Sequence, residues 1–184
     1  MSYLKKIEYE IILKDSFWVA RNCPKCGRKT HYITTKKFRI NANGNKLDVW
    51  LIYQCAECKH TLNLDIYRRQ KVSSIPKEEY QCFLDNKEQL AEMYGKNIRL
   101  FQRNKAEIDY EKLFYDYVKL PETMEYNPVD QITVVINNPY QLKIRPEKQI
   151  AEVLGLSRSK AKGLLEKGQI VLEPERLRFN CPSN

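Results

Sequence analysis

Two C-x-x-C pairs, Cys23 with Cys26 and Cys55 with Cys58, constrain the fold of this chain more than any other feature. Zn²⁺ in structural sites takes four soft ligands in a tetrahedron at about 2.3 Å, and one tight turn can supply two of them. A β-hairpin predicted between the pairs would bring the two turns together. Four cysteine ligands would close the site to water, so we expect a structural Zn²⁺ and not a catalytic one.

The alternative use of these cysteines is as redox dithiols, which would require a βαβ context, whereas the surroundings here are rich in strands. His31 and His60 lie close to the two pairs in sequence, but the four cysteines already complete a ligand set. Cys82 and Cys181 are far apart and are expected to be ordinary free thiols. This use of cysteine is typical of the reducing cytoplasm.

The first third of the chain is predicted to be an antiparallel β domain. Alternating apolar residues predict strands over 6–14, 30–40 and 62–66. The Asn-Gly turn within 41–45 predicts a hairpin. The returning strand, 47–53, is apolar on both faces, so we expect it to be central and covered on both sides.

The middle of the chain is predicted to be helical and carries an excess of acidic residues. Ser74 is expected to cap a first helix and Asn86 a second that continues through Gly95. Apolar spacing over 110–118 predicts a third helix that stops before Pro121. The aromatic residues of these helices are expected to pack in a core, although stacking on bases is the alternative.

Two segments of the sequence indicate a family resemblance, FWVARNCPKC and FRINANGNKLDVWLIYQCAECKHTLNLDIYRR. The chain resembles the bacterial family catalogued as domain of unknown function 1062, along most of its length. This resemblance implies membership of the family and no particular activity. The first part of the chain is also similar to a zinc ribbon.

The C-terminal part is predicted to contain a strand over 132–136, two short helices and a returning strand over 169–172. Gly155 is expected to end the first helix, Ser157 to cap the second and Gly168 to end it. With the letters LKIRPEKQIAEVLGLSRSKAKGLLEKGQIVLEP, the segment resembles the alpha-L RNA-binding motif.

The alpha-L resemblance implies binding of structured RNA. Helix N-terminal amides and basic side chains would hold phosphates there. The residues expected to contact nucleic acid are Arg145, Lys148, Ser157, Arg158, Ser159, Lys160 and Lys162. On the N-terminal domain, Lys36, Lys37 and Arg39 are expected to assist them.

The same letters also resemble a helix-turn-helix, in which the second helix would enter the major groove of DNA. A third interpretation is a helical hairpin that only packs on the rest of the protein. A protein-interaction adaptor, using the zinc ribbon or the acidic helices, is a function of a different class.

The distribution of charge favours a nucleic-acid partner, RNA before DNA. Residues 1–72 hold 15 Lys and Arg against 6 Asp and Glu, residues 73–140 hold 8 against 12, and residues 141–184 hold 9 against 5. Two basic ends therefore flank an acidic middle, and phosphate backbones attract such ends. The alternative is a basic surface with no partner. The total composition, 42% hydrophobic and 30% charged, is that of a globular chain.

Several classes of function are not supported by the sequence. It contains no Ser-His-Asp set, no Gly-rich phosphate loop and no open metal site, so we expect no enzyme. The N-terminal letters MSYLKKIEYE lack the apolar region of a signal peptide, and no apolar run approaches the length of a membrane span.

The predicted fold class is α+β in three parts. Residues 1–72 are expected to form a zinc-ribbon-like antiparallel β domain and residues 73–125 a helical segment. Residues 126–184 are expected to form a small α/β module that resembles the alpha-L RNA-binding fold.

Overall fold

The computed structural model of the chain describes residues 3–121, 123–126 and 132–173. The chain forms two compact units. We call Leu13–Phe114 the cysteine unit, and Met1–Ile12 together with Tyr115–Asn184 the terminal unit. The fold is a mixed α+β one, as predicted from the sequence, with antiparallel strands and several helices.

The cysteine unit is built on an antiparallel sheet in the order β2-β3-β4-β5. The strands are β2 (Val19–Cys23), β3 (Arg28–Asn43), β4 (Lys46–Cys55) and β5 (Thr61–Lys71). The predicted hairpin is confirmed: Asn43 pairs with Lys46, and Gly44 begins the two-residue loop at φ +61°. Glycine adopts this left-handed conformation at little steric cost.

Strand β4 is central, as predicted, but it is buried on one face only. Leu47, Val49, Leu51, Tyr53 and Cys55 are buried, and the residues between them are half-buried. The alternation has period two because successive side chains of a strand point to opposite faces. The expectation of a strand covered on both faces is therefore wrong.

Three short helices cover the buried face of this sheet. They are α1 (Lys77–Leu84), α2 (Glu88–Gly95) and α3 (Ile98–Arg103). Edge-to-face ring contacts join the layers: Phe38 of β3 lies 4.9 Å from Phe83 of α1, and Tyr53 of β4 lies 5.9 Å from Phe101 of α3. The aromatic residues of α1 and α3 thus form core, as predicted, whereas Tyr110 and Phe114 of the third predicted helix are exposed.

The helix boundaries differ from the predictions in three places. Ser74 lies in a 3-10 turn, Val72–Ser74, and caps no α-helix, while Asn86 accepts a hydrogen bond from the backbone N–H of Phe38. The second helix ends at Gly95, and α3 follows as a separate helix. Gly95 lies very close to Ser16, because a Cβ there would be 2.3 Å from the Ser16 Oγ.

The third predicted helix, over 110–118, is wrong. A 3-10 turn, Tyr110–Lys112, is followed by strand β6 (Tyr115–Lys119), which belongs to the sheet of the terminal unit. Tyr115 and Tyr117, two residues apart, are both half-buried, while the residues after them are exposed. Pairing with a distant strand outweighed a local helical spacing.

The terminal unit contains a mixed sheet in the order β6-β1-β8-β9, and β7 also pairs with β1. Its further strands are β1 (Tyr3–Leu13), β7 (Thr123–Tyr126), β8 (Ile132–Asn137) and β9 (Ile170–Glu173). β1 and β9 both run parallel to β8, whereas β7 is antiparallel to β1.

Two helices connect β8 to β9, namely α4 (Pro146–Leu154) and α5 (Arg158–Glu166). The predicted caps are confirmed: Gly155 ends α4 at φ +64°, and the hydroxyl of Ser157 accepts a hydrogen bond from the N–H of Lys160 at 3.2 Å. Ile150, Ala161 and other buried apolar residues pack these helices into the unit.

The two units divide the chain differently from the three segments expected over 1–72, 73–125 and 126–184. The N-terminal strand β1 pairs with β8, more than a hundred residues later, so it lies in the same unit as the C-terminal segment. Hydrophobic alternation predicts that a strand exists but not which strand it pairs with.

Candidate metal centre and basic helix surface

Each C-x-x-C pair occupies a tight turn at the end of a strand. Cys23 ends β2 and Cys55 ends β4. In both turns a backbone hydrogen bond returns to the carbonyl of the first cysteine, from Gly27 at 2.9 Å and from Lys59 at 3.1 Å. These two residues have φ values of +69° and +62°, so the two turns have closely similar backbones.

The structure brings the four predicted cysteines into one cluster. Their sulfur atoms all lie within 4.8 Å of one another, with Cys23 Sγ 3.5 Å from Cys58 Sγ and Cys26 Sγ 3.9 Å from Cys55 Sγ. A tetrahedron with metal–sulfur bonds of about 2.3 Å has sulfur–sulfur edges of about 3.8 Å. The cysteines are free and not disulfide-bonded, since a disulfide would place two sulfurs about 2.05 Å apart.

The first cysteine of each pair has a lowered pKa, which favours its thiolate form. Burial opposes ionisation of Cys23, but hydrogen bonds from the Tyr32 hydroxyl and from the backbone of Cys26 lower its pKa to about 6. The pKa of Cys55 is lowered by the backbone N–H of Cys58 and by other donors. Hydrogen bonds to a charged sulfur favour the charged form, which is the form that ligates metal.

The second cysteine of the first pair behaves differently. Hydrogen bonding with Cys58, followed by burial, raises the pKa of Cys26 above its ordinary value. Four sulfur atoms so close together cannot all ionise without a compensating cation. A divalent ion bound by all four would supply that compensation, and a soft metal such as zinc suits an all-sulfur set.

The neighbours that hold the sulfur cluster were not predicted from the sequence. Thr30 Oγ1 lies 3.3 Å from Cys55 Sγ, and Tyr32 is the direct cross-strand partner of Cys55. The Tyr32 hydroxyl also lies 3.2 Å from His60 Nδ1. The predicted hairpin indicates that residues just after the first turn lie beside the second turn, but the strand register decides which of them contact the sulfurs.

Neither histidine belongs to the sulfur cluster. His60 contacts Tyr32, and the ring nitrogen Nε2 of His31 lies 2.7 Å from a carboxylate oxygen of Asp109. An exposed ion pair between Arg28 and Glu57, at 2.7 Å, joins the two turns across the outside of the cluster.

The residues expected to contact nucleic acid fall into two groups. Arg145 precedes α4, and Arg158, Ser159 and Lys160 form the first turn of α5; all four are exposed. No acidic residue lies in that first turn, and Ser157 caps it. Positive side chains and the partial positive charge of a helix N-terminus therefore coincide at the start of α5.

Lys148 and Lys162, in contrast, have acidic partners in the structure. Lys162 lies 3.7 Å from Glu166, and Lys148 lies 3.7 Å from Glu152 and 5.5 Å from the ring centre of Tyr115. The hydroxyl of Tyr117 also donates to Glu152, at 3.1 Å. This group of two tyrosines, a glutamate and a lysine was not foreseen from the sequence.

Other predicted residues lie elsewhere. Lys36 of β3 pairs with Glu88 and Glu92 of α2, at 2.5 Å and 2.8 Å, and its expected phosphate contact stays a prediction. Cys82 is half-buried on α1, outside the cluster, and Cys181 lies outside the described residues. No helix in the described part of the chain is long and apolar enough to span a bilayer.

A comparison with protein families places the chain among known sequences. The family model described as Protein of unknown function (DUF1062) matches residues 40–176. No curated protein and no solved structure matches the chain.

Proposed function

Since the chain belongs to the DUF1062 family, a family described as of unknown function, we propose a role from its own residues. It is a non-enzymatic cytoplasmic protein that a structural zinc ion stabilises and that binds structured RNA. The cysteine unit, in this proposal, is a zinc-ribbon-like scaffold. The helices α4 and α5 form an alpha-L-like RNA-binding surface in the terminal unit.

The sulfur geometry supports the zinc part of the proposal. Four sulfurs within 4.8 Å of one another would satisfy a four-coordinate ion completely, so no position would be left for a reactive water. The strands that end at Cys23 and Cys55 would be fixed to each other by the ion. Thiolate ligands persist in a reducing compartment, which supports the cytoplasm as the location.

The first turn of α5 is the observation that carries the RNA part. Arg158 and Lys160 are exposed there beside the capped N-terminus, and the first turn of α5 contains no acidic residue. Backbone N–H groups and cationic side chains at a helix N-terminus bind phosphate oxygens. Arg145, at the start of α4, adds a third exposed cation.

A titration with nucleic acid tests this proposal. We expect a structured RNA hairpin to bind the full chain at low salt, with affinity falling as salt rises. Arg158→Ala/Lys160→Ala should weaken binding and reduce the salt slope. The matched control, Lys71→Ala/Lys77→Ala, removes the same charge from exposed positions in the cysteine unit. Failure of the wild-type chain to bind RNA or duplex DNA at low salt would remove the proposal.

A helix-turn-helix that binds duplex DNA is the second candidate. The connection between α4 and α5 favours it, because the helices are joined by only three residues, the first of which is the left-handed Gly155. In this case Lys162 would lie near base edges. A clear preference for duplex DNA over the RNA hairpin in the same titration would select it.

A further inference from the structure

The sheet of the cysteine unit has one face that the helices do not cover. Trp50, Ile52 and Gln54 of β4 point away from the buried face and are half-buried. Ile33 of β3 pairs with Gln54 and lies on the same side. The open face of an antiparallel sheet is normally polar, so a tryptophan and two isoleucines at its centre require an explanation.

A groove of about 340 Å³ lies on this face. Ile33 and Ile52 line it as an apolar floor, and Gln54 offers an amide. Lys37 and Lys59 also line it and are both exposed. None of the described residues that line the groove is acidic, so its charge is positive.

A β-bulge in β3 directs one of these lysines into the groove. The register of β3 against β4 shifts between Thr34 and Phe38, and Lys36 has φ +58° within the bulge. Lys36 therefore contacts α2 on the helix side, while the next residue, Lys37, lines the groove. Bulges commonly redirect side chains in this way at binding sites.

Trp50 extends the apolar floor along β4. The guanidinium of Arg39 lies 5.8 Å from the centre of its ring, and Arg39 is exposed. On β5, Trp50 pairs with Asp65, which forms an ion pair with Arg68. Proteins bind single strands by combining exposed aromatic rings of this kind with a positively charged groove.

An added peptide strand is a poor occupant, because both edges of the sheet are already in use. Ala20 of β2 donates its N–H to Glu107, and Val19 bridges to Ile108. At the other edge, Arg103 and Asn104 hydrogen-bond the backbone of β5 around Asp65. Binding to this unit is thus directed to the face and away from the edges.

We propose that this groove and Trp50 bind a single-stranded nucleic acid, separately from the α5 surface. One base stacks on Trp50 and the next lies against Ile52 and Ile33. Lys37 and Lys59 hold phosphates on either side. Recognition is by stacking and charge, so it is tolerant of sequence.

The test measures fluorescence anisotropy of a labelled 12-nucleotide uridine oligomer with the zinc-loaded full chain. Lys37→Ala/Lys59→Ala should lower the slope of log affinity against log salt by about 1.4, since each phosphate contact on a single strand contributes about 0.7. Trp50→Leu should weaken binding about 5- to 150-fold, the range of stacking losses measured for single strands. Trp50→Phe should restore most of that loss. Melting temperatures of all variants are measured to confirm folding.

Three results would overturn the inference. The first is that Lys37→Ala/Lys59→Ala reduces oligomer binding no more than the control Lys71→Ala/Lys77→Ala does. The second is equal binding by Trp50→Leu and the wild type. The third is loss of oligomer binding only in Arg158→Ala/Lys160→Ala, which would place all binding at α5 and leave the RNA proposal intact. A wild-type chain that binds the oligomer but not the hairpin would remove the α5 proposal and support the groove.

Discussion

Replacing one cysteine of the cluster tests the metal centre most directly. Cys55 is the most informative position, because it is buried and its sulfur accepts hydrogen bonds from Thr30 and from backbone N–H groups. Serine at this position fits the space, but its hydroxyl is a hard and weakly acidic ligand. Cys55→Ser therefore removes one of four metal bonds and leaves the rest of the cluster in place.

The size of the effect follows from the closed four-sulfur geometry. Structural zinc sites provide about 10–16 kcal/mol of apparent binding free energy near pH 7. Divided among four ligands, one thiolate contributes about 2.5–4 kcal/mol, a roughly 70- to 900-fold loss of zinc affinity. At a fixed free zinc concentration above both dissociation constants, the folded form loses about the same stabilisation. The melting temperature should then fall by on the order of 10–30 °C for a domain of the size of the cysteine unit.

Two measurements check this prediction: metal content by elemental analysis, and thermal unfolding in a zinc-buffered solution. The wild-type chain should hold one zinc ion, and a chelator should lower its melting temperature. Cys82→Ser is the control, since Cys82 lies on α1 outside the cluster. The reasoning is refuted if the wild type binds no transition metal, or if Cys55→Ser binds one ion and melts with the wild type.

Three further predictions concern stability and are checked by urea unfolding. Gly27→Ala should lower the free energy of unfolding by about 1 kcal/mol because φ is +69°. Gly163→Ala, inside α5, should raise it by about 0.5–1 kcal/mol. Neither added Cβ would meet an atom within 4 Å, so effects of the same sign would contradict the backbone explanation. Gly95→Ala should cost about 1–3 kcal/mol through its contact with Ser16, and Ser16→Gly should recover part of it; no loss would show that the two segments are not in contact. Phe83→Ala should cost about 3–5 kcal/mol, and a loss below 1 kcal/mol would mean that α1 does not pack on the sheet.

Much of the candidate metal site could be predicted because its signals are local. The spacing of the four cysteines and the Asn-Gly turn lie within one short stretch, and a hairpin leaves few ways to arrange them. The caps of α4 and α5 were predictable for the same reason: Gly155 and Ser157 act on the backbone beside them. Thr30 and Tyr32 were not identified, because their role depends on the cross-strand register.

The errors arose where a distant partner decided the structure. Residues 110–118 have helical spacing, but a strand of the terminal unit pairs with part of them. The pairing of Lys36 with Glu88 and Glu92 was not predicted either, because it depends on the bulge in β3. The outer face of β4 is apolar enough to suggest burial, and it is open instead.

The sequence by itself determined the two cysteine turns, the hairpin between them and the paired helices near the C-terminus, because each is encoded by residues that act on their near neighbours. Only the tertiary structure decided which strands share a sheet. β1 joins β8 and β9 in parallel, and the chain divides into units that its order along the sequence does not suggest. Strand pairing depends on long-range contacts whose free energy appears only once both partners are in place.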